Sequence, residues 1–195
     1  LGIPIYEKFA LGANKRNSLS AKFNLDENKF TVLVATGSFG IGPIEKIVEA
    51  LHDDVQVLVV CARNKKLFKK LAKKNYKQVR VFGFVDNMEE LMSVSDIIIT
   101  KPGGLTISEI LTVGTVPIFI SAIPGQETEN IRILSGYAIG AWVKNIADIK
   151  ELVLDYKAHP QKMQLVRENM NRIKKPSAVK ELCNAVCAGS FWAGC

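Results

Sequence analysis

The chain has 195 residues, of which 48% are apolar and 23% are charged, and its formal net charge is +7. This length accommodates one α/β domain with a proper hydrophobic core, and the composition excludes an intrinsically disordered chain. No stretch of about 18 uncharged apolar residues is present, and no basic and apolar leader opens the sequence, so neither a membrane-spanning helix nor a signal peptide is expected.

The first half of the sequence alternates between predicted helices and strands. Residues 1–15 show no clear period and are interpreted as a linker, and residues 18–24 as a short helix. Apolar β-branched runs predict strands at 30–35, 55–60, 79–84 and 96–100. Helices are predicted at 43–51, 65–74 and 87–94, each with its apolar residues on one face. Pro43 suits the first position of the first of these helices.

The second half continues the same alternation into a helical carboxyl terminus. The predicted elements are a helix at 105–111, a strand at 115–120, a helix at 131–135, an edge strand at 139–143, and helices at 148–156, 161–173 and 177–187. We assign 16–175 to one domain and 176–195 to a carboxyl-terminal helix and tail. The alternation predicts an α/β fold with a Rossmann-like, doubly wound parallel sheet. Its ligand is expected at the carboxyl ends of the strands, in the loops 37–42, 84–87, 101–104 and 121–128.

A pair of glycines, Gly103 and Gly104, follows a buried strand and opens a helix. The two missing Cβ atoms let a ligand approach the backbone, and the free N–H groups at the helix start attract an anion. Thr106 and Glu109 have the spacing of a capping box, in which the carboxylate would only close the helix start. If the helix begins at Gly104, Glu109 lies beyond the first turn and is free to accept hydrogen bonds from neighbouring hydroxyls.

Basic residues are concentrated in one stretch, with nine lysines and arginines between residues 63 and 80. Two interpretations stay open, a solvated helix face or an attraction to an anionic membrane surface. Nucleic acid is not expected as a partner, because aromatic residues are not interleaved with these lysines. The four cysteines lack zinc-site spacing, and Cys61 is predicted to be a buried free thiol in a reducing compartment. His52 and His159 are interpreted as surface residues and not as catalytic bases.

Two motifs resemble a known family: KPGGLTISE at residues 101–109 and PGQExxN at residues 124–130. Together they resemble the carboxyl-terminal domain of family 28 glycosyltransferases, most of all the diacylglycerol glucosyltransferases and monogalactosyldiacylglycerol synthases. GIPI at 2–5 is similar to the segment that joins the two domains of that family, and TGSFG at 36–40 to its first glycine loop. The resemblance implies the GT-B fold, in which two Rossmann-like domains flank a cleft, with this chain as the carboxyl-terminal half.

The resemblance also implies a binding site for a UDP-sugar. Its residues would be Gly37, Ser38, Phe39, Phe84, Val85, Gly103, Gly104, Leu105, Thr106, Glu109, Gln126, Glu127 and Asn130. In that family the glycine pair holds the diphosphate, Glu109 matches the residue that accepts the ribose hydroxyls, and Gln126 with Glu127 matches the pair that reads the sugar. The backbone after the third strand would read the uracil edge, and the first glycine loop would approach the phosphates or the acceptor. The alternatives are core packing for Phe84 and a solvated loop for Gln126 and Glu127.

The function implied by the resemblance is inverting transfer of glucose or galactose from its UDP-sugar to a diacylglycerol-type lipid. The acceptor and the catalytic base would be held by an amino-terminal half that these residues do not include, so no catalytic residue is assigned and the domain is expected to be inactive alone. No cofactor and no metal are expected, and the location would be cytoplasmic, peripheral at the inner face of the membrane. The alternatives are a non-catalytic UDP-sugar-binding subunit docked on a membrane partner, a UDP-sugar epimerase and a lipid-linked N-acetylglucosaminyltransferase.

Overall fold

The computed structural model describes residues 2–11, 16–120 and 123–187. Its helices are α1 (Lys8–Leu11), α2 (Arg16–Lys22), α3 (Ile44–Leu51), α4 (Lys65–Lys73), α5 (Met88–Ser93), α6 (Gly104–Val113), α7 (Gln126–Gly136), α8 (Ile146–Ala158), α9 (Pro160–Ile173) and α10 (Ala178–Cys187). Its strands are β1 (Thr31–Ala35), β2 (Gln56–Val60), β3 (Val79–Phe82), β4 (Ile97–Thr100), β5 (Val116–Phe119) and β6 (Ala141–Trp142). Each predicted strand is present and is shorter than predicted at one or both ends. The tail beyond residue 187 and residues 12–15 of the predicted linker lie outside the described residues.

The six strands form one sheet in the order β3-β2-β1-β4-β5-β6, and every neighbouring pair is parallel. This order confirms the predicted doubly wound Rossmann-like sheet. The chain reverses its direction across the sheet between β1 and β4, which pair directly, with Leu33 opposite Ile98. The topological switch point therefore lies between the loop that follows β1 and the loop that follows β4.

Helices cover both faces of the sheet, which explains why the central strands are apolar throughout. Right-handed crossovers place α3 and α4 on one face and α5, α6 and α7 on the other. In agreement with this arrangement, α5 packs against α6. On the other face, α8 packs against α3. All residues of β1, β2, β4 and β5 are buried, as expected for parallel strands covered on both sides.

Cys61 is a buried free thiol, and burial raises its pKa to about 11. In the part of the chain that is described, no helix is long and apolar enough to cross a bilayer.

The amino ends of β1 and β4 are held together by one carboxylate, that of Asp96. Arg16 in α2 donates to both carboxylate oxygens at 2.8 and 2.9 Å, and the Thr31 backbone N–H donates to Oδ2 at 2.8 Å. This two-pronged geometry is the strongest form of an arginine–carboxylate pair. The α2 helix, which begins at Arg16 and not at residue 18, is thereby attached to the amino ends of β1 and β4, at the opposite edge of the sheet from the switch point.

The amino-terminal segment, residues 2–11, which was interpreted as part of a linker, packs against the domain. It contains α1, and Phe9 is buried in the main core. Lys8 donates to the Asp86 carbonyl oxygen and pairs with Glu89 Oε2 at 2.9 Å, which attaches the segment to the loop after β3 and to α5. These contacts were not foreseen, because one buried aromatic residue and one ion pair leave no periodic pattern in the sequence.

Two boundaries near the candidate site also differ from the predictions. Pro43 is the residue before α3 and has φ −80° and ψ 36°, so it lies outside the first turn in which it was placed. The α7 helix begins at Gln126, so the last part of the predicted loop 121–128 is helical. Gly125, with φ +103°, makes the turn into α7, and the acidic side chains of Glu127 and Glu129 suit the positive end of a helix.

Candidate functional site

The start of α6 is an exposed helix end without a capping side chain. Gly103 precedes the helix with φ −72° and ψ 140°, and within the described residues no side chain caps the first turn. A Cβ atom placed on Gly103 would have no atom of the described residues within 4 Å, whereas one on Gly104 would lie 3.0 Å from Ile3 Cδ1. The N–H groups of this turn are therefore open on the Gly103 side and bordered by Ile3 on the Gly104 side. Such an end attracts anions through its N–H groups and its partial positive charge.

The capping-box alternative for Thr106 and Glu109 is wrong. Because α6 begins at Gly104, Thr106 is the third helical residue, and the residue before the helix is a glycine with no side chain to cap. Glu109 is the sixth helical residue and lies about 7.5 Å along the axis from the first. Its carboxylate is too far from the first turn to satisfy the free N–H groups there.

Glu109 lies in a groove of about 780 Å³ beside α6. The groove is formed by three parts of the chain: the amino-terminal segment, α6 and the start of the α10 region. Its lining residues are Pro4, Ile5, Tyr6, Glu7, Leu105, Glu109, Pro176, Ser177, Val179 and Lys180. Burial raises the pKa of the Glu109 carboxyl to about 7; nearby Lys8 opposes this shift and Glu89 adds to it. The carboxyl is thus poised to lose its proton near neutral pH.

Gln126 and Glu127 lie in the first turn of α7 and not in a solvated loop, which corrects that alternative. The Gln126 Nε2 atom lies 4.0 Å from the Cβ position of Gly104, so its amide group stands beside the start of α6. The Glu127 Oε2 atom accepts a hydrogen bond of 2.7 Å from the Ile123 backbone N–H. That contact uses one carboxylate oxygen to hold the preceding loop and leaves the other for a ligand.

The Asn130 side chain supports the turn that carries the glycine pair. Its Nδ2 atom donates to the Pro102 carbonyl oxygen at 2.9 Å across 28 residues of sequence. This bond joins α7 to the turn between β4 and α6, so the start of α6 and the first turn of α7 are held as one unit. Asn130 therefore helps to position the turn before α6 through its Nδ2 atom, and its contact with the ligand stays a prediction.

The glycine loop that follows β1, residues 37–42, lies at the other side of the switch point. Gly40 has φ +59°, and a Cβ atom there would lie 2.2 Å from the Cys61 carbonyl oxygen, so this position requires glycine. The Arg63 backbone N–H donates to the Ser38 carbonyl oxygen at 3.3 Å. Phe39 projects outward and is 62% exposed. Because β1 and β4 are neighbours, Gly37, Ser38 and Phe39 lie on the strand-end loop beside that of Gly103.

The loop that follows β3 presents Phe84 outward, with 67% of the residue exposed, so core packing for Phe84 is wrong. Val85 is half-buried against the core. β3 lies three places from β4 in the sheet, and the connection to α6 runs through the amino-terminal segment. Lys8 contacts the Asp86 carbonyl oxygen and also influences the Glu109 carboxyl. Lys8 therefore links the loop that carries the uracil candidates Phe84 and Val85 to the surroundings of Glu109.

Three residues of the site region, Ile3, Lys8 and Thr36, received no individual role from the sequence, although Ile3 and Thr36 lie in the GIPI and TGSFG motifs. Ile3 and Lys8 gave no signal because they sit in a segment without periodicity. Thr36 follows β1 and is only 4% exposed, and its Oγ1 atom has no hydrogen-bond partner among the described residues. A hydroxyl residue placed where an apolar strand enters a glycine-rich turn is the signal that could have identified it.

We expect Thr36→Val to leave the free energy of unfolding unchanged or to raise it by up to about 1 kcal/mol, because a buried hydroxyl without a partner is costly. Thr115→Val is the matched control, since Thr115 is equally buried but its hydroxyl donates to the Met92 carbonyl oxygen at 2.9 Å. The control should lose about 1 kcal/mol. Urea unfolding of both variants measures the difference, and equal losses would show that the Thr36 hydroxyl is satisfied.

The two histidines lie away from the strand-end loops, as predicted. His52 follows α3, stacks on Tyr76 with ring centroids 4.3 Å apart and pairs with Asp53. His159 lies between α8 and α9 and pairs with Asp155. Across residues 2–11, 16–120 and 123–187, no three His, Cys, Asp or Glu side chains are grouped as metal ligands.

The motifs around α6 and α7 lie within a segment that matches a known family. Residues 31–133 match the family model of the glycosyltransferase family 28 C-terminal domain. The chain belongs to glycosyltransferase family 28. This family 28 domain is 35% identical over 190 residues to monogalactosyldiacylglycerol synthase 1 of Arabidopsis thaliana, covering 91% of the chain and 36% of the synthase. It is also 35% identical over 192 residues to the processive diacylglycerol beta-glucosyltransferase of Staphylococcus saprophyticus, covering 93% of the chain and 48% of that enzyme. The chain thus spans half or less of the length of these relatives.

Solved structures show that this family 28 domain has the fold of one half of a GT-B glycosyltransferase. The lipopolysaccharide glycosyltransferase WaaG superposes with a TM-score of 0.71 at 17% identity, covering 96% of this chain and 55% of WaaG. Acinetobacter baumannii MurG superposes with a TM-score of 0.64 at 17% identity, covering 92% of this chain and 55% of MurG. Anabaena Alr3699/HepE, solved in complex with UDP-glucose, superposes with a TM-score of 0.68 at 15% identity, covering 96% of this chain and 56% of Alr3699/HepE.

Proposed function

We propose that this domain binds UDP-glucose or UDP-galactose and presents the sugar for inverting transfer to a diacylglycerol-type lipid. The observation that carries the proposal is the open start of α6 at Gly103, with Glu109 in a groove farther along the same helix. The related synthases are named for diacylglycerol products, and Alr3699/HepE was solved with UDP-glucose. The acceptor and the catalytic base would come from an amino-terminal half like that of the relatives.

The diphosphate would lie on the first turn of α6, where backbone N–H groups bind it without a buried countercharge. The ribose would lie toward Glu109, whose carboxylate can accept hydrogen bonds from two neighbouring hydroxyls. The uracil would face Phe84 and Val85. Gln126, beside Gly104, and the free oxygen of Glu127 would contact the sugar, because both side chains project from the first turn of α7 next to the phosphate position.

In the proposed reaction the acceptor hydroxyl, deprotonated by a base of the other half, attacks the anomeric carbon of the sugar. The bond between that carbon and the diphosphate oxygen breaks, and UDP leaves with the bonding electron pair. The N–H groups at the start of α6 stabilise the negative charge that develops on the departing diphosphate. Because these groups supply positive potential themselves, the step as proposed needs no metal ion and no cofactor.

A titration of the chain with UDP tests the donor site. Calorimetry should give a saturable heat with one site per chain and a Kd below about 1 mM, which corresponds to more than about 4 kcal/mol of binding free energy. CMP serves as the control nucleotide, since it lacks both the uracil edge and the second phosphate. Equal affinities for UDP and CMP, or no heat with either, would contradict a UDP-sugar site.

The activity of the full-length protein then distinguishes the competing functions. Incubation with UDP-glucose or UDP-galactose and diacylglycerol should yield a glycolipid and UDP. Conversion of one UDP-sugar into the other without lipid would favour the epimerase, for which Glu109 and Glu127 are the acid–base candidates. Transfer only from UDP-N-acetylglucosamine would favour a lipid-linked N-acetylglucosaminyltransferase, and binding without turnover a non-catalytic subunit. We further propose that the enzyme works at the cytoplasmic face of a membrane, where its lipid acceptor resides.

A further inference from the structure

The lysines of α4 fall into two groups that differ in their partners. Lys70 pairs with Glu45 at 2.6 Å. Lys74, the residue immediately after the helix, pairs with both Glu45 and Glu49. The hydrogen bonds from these two lysines lower the pKa of Glu45. One flank of α4 is therefore neutralised by acidic residues of α3.

The remaining lysines of the helix form one exposed arc. Lys65, Lys66, Lys69 and Lys73 project within about 100° of one another on a helix with 3.6 residues per turn. All four are exposed, and no carboxylate of the described chain pairs with them. We call these four residues the lysine arc. Because no acidic side chain of the described residues offsets these four neighbouring positive charges, the arc carries a concentrated positive potential.

Exposed apolar side chains lie next to the lysine arc, in the glycine loop beside the start of α4. Ile41 in the glycine loop is 61% exposed, and the neighbouring Phe39 ring lies under the Arg63 guanidinium at 5.9 Å from its centroid. Asn64, which caps α4, donates to the Gly40 carbonyl oxygen at 3.0 Å. The glycine loop and the start of α4 therefore form one continuous surface that combines apolar tips with basic residues.

We propose that the lysine arc, together with Ile41 and Arg63, docks this domain on an anionic lipid bilayer. Lysines next to apolar tips suit the bilayer interface, because the apolar groups enter the headgroup region while the charges engage lipid phosphates. α4 begins at the carboxyl end of β2, so docking brings the edge of the sheet that carries Gly103 toward the bilayer. The inference rests on the proposed function, because a lipid acceptor requires the enzyme to act at a membrane.

Co-sedimentation with lipid vesicles tests the surface. Wild-type protein should bind vesicles of equimolar phosphatidylglycerol and phosphatidylcholine more tightly than vesicles of phosphatidylcholine alone, and added salt should weaken the difference. Lys65→Gln with Lys69→Gln should lower the partition coefficient roughly 25-fold, about five-fold for each lysine. Arg172→Gln with Lys175→Gln is the matched control, because it removes the same net charge from exposed positions elsewhere and should change little. Lys65→Arg with Lys69→Arg should bind like the wild type.

The outcomes separate this surface from the donor site. The Lys65/Lys69 glutamine variant should keep wild-type UDP affinity, since neither residue belongs to the donor site. Protein that binds UDP but not anionic vesicles would overturn the docking surface and leave the proposed function standing. Protein that binds vesicles but not UDP would support the surface and contradict the function. Equal losses in the variant and its control, or tighter retention on duplex DNA than on vesicles, would overturn the inference.

Discussion

Gly103→Val is expected to reduce UDP affinity at least about 100-fold while leaving the domain folded, because it would displace two or more charge-assisted hydrogen bonds. The backbone of Gly103 has φ −72° and ψ 140°, which a β-branched residue adopts without strain. A Cβ atom there meets no atom of the described residues within 4 Å, so the new side chain would extend toward the space proposed for the diphosphate. The binding loss should therefore be much larger than the loss of stability, which should stay at about 1 kcal/mol because valine is a poorer residue than glycine immediately before a helix.

Gly136→Ala is the matched control for this substitution. Gly136 ends α7, and a Cβ atom placed there also has no atom within 4 Å. Alanine should raise the unfolding free energy by up to about 1 kcal/mol, because glycine is the poorer helix former, and should not change UDP affinity. Calorimetric titration and urea unfolding measure both effects. A Gly103→Val variant with wild-type affinity would show that the diphosphate does not lie on α6.

Glu109→Gln is expected to lower UDP-glucose affinity about 10- to 100-fold at pH 8, because hydrogen bonds to a charged acceptor are stronger than those to an amide. The free protein holds the pKa of Glu109 near 7, so ionisation is incomplete at pH 6 and nearly complete at pH 8. Wild-type affinity should therefore rise with pH across this window, whereas the glutamine variant should show no such rise. UDP-glucose is the suitable probe, since its diphosphate has no proton to lose in this range. Titrations at both pH values decide the matter, and parallel profiles would exclude a ribose contact.

Ionisation of the Glu109 carboxyl is expected to lower the stability of the free protein, although it strengthens binding of the ligand. Because burial raises the folded-state pKa above the ordinary 4.5, stability is fully present below pH 4.5 and is lost as pH rises through 7. Glu109→Gln removes this loss, so the variant should be more stable than the wild type at pH 8 by about 1 kcal/mol, since water screens part of the half-buried group. The two should be equally stable at pH 4. A residue that costs stability while it strengthens binding has the signature of a functional group rather than a structural one.

Local patterns were sufficient to predict the strands, the sheet class and the helix start at Gly104. An apolar β-branched run can be accommodated in few ways other than as a buried strand, and two glycines after it leave a helix end uncovered. Strand–helix alternation with right-handed crossovers then brings the loops after β1 and β4 together. These inferences hold because each depends on residues close in sequence and on rules of chain geometry that apply to any side chains.

Contacts between distant parts of the chain could not be predicted in this way. The segment 2–11 packs on α5 and α6 through Phe9 and Lys8, and Lys8 reaches a carbonyl 78 residues away. Asn130 turned out to support Pro102, and one oxygen of Glu127 holds the loop before α7. Both residues carry groups that suit a sugar equally well, so their chemistry alone did not distinguish a ligand contact from a brace.

The sequence by itself determined the α/β class of this protein, the position of its uncapped helix start and, through two short motifs, its membership of family 28. Only the tertiary structure decided that Glu109 is half-buried in a groove, and that α4 has one neutralised flank and one free lysine arc. The physical reason is that periodicity and backbone freedom are properties of neighbouring residues. The burial of a carboxyl and the pairing of a lysine depend on which distant side chains the fold brings beside them.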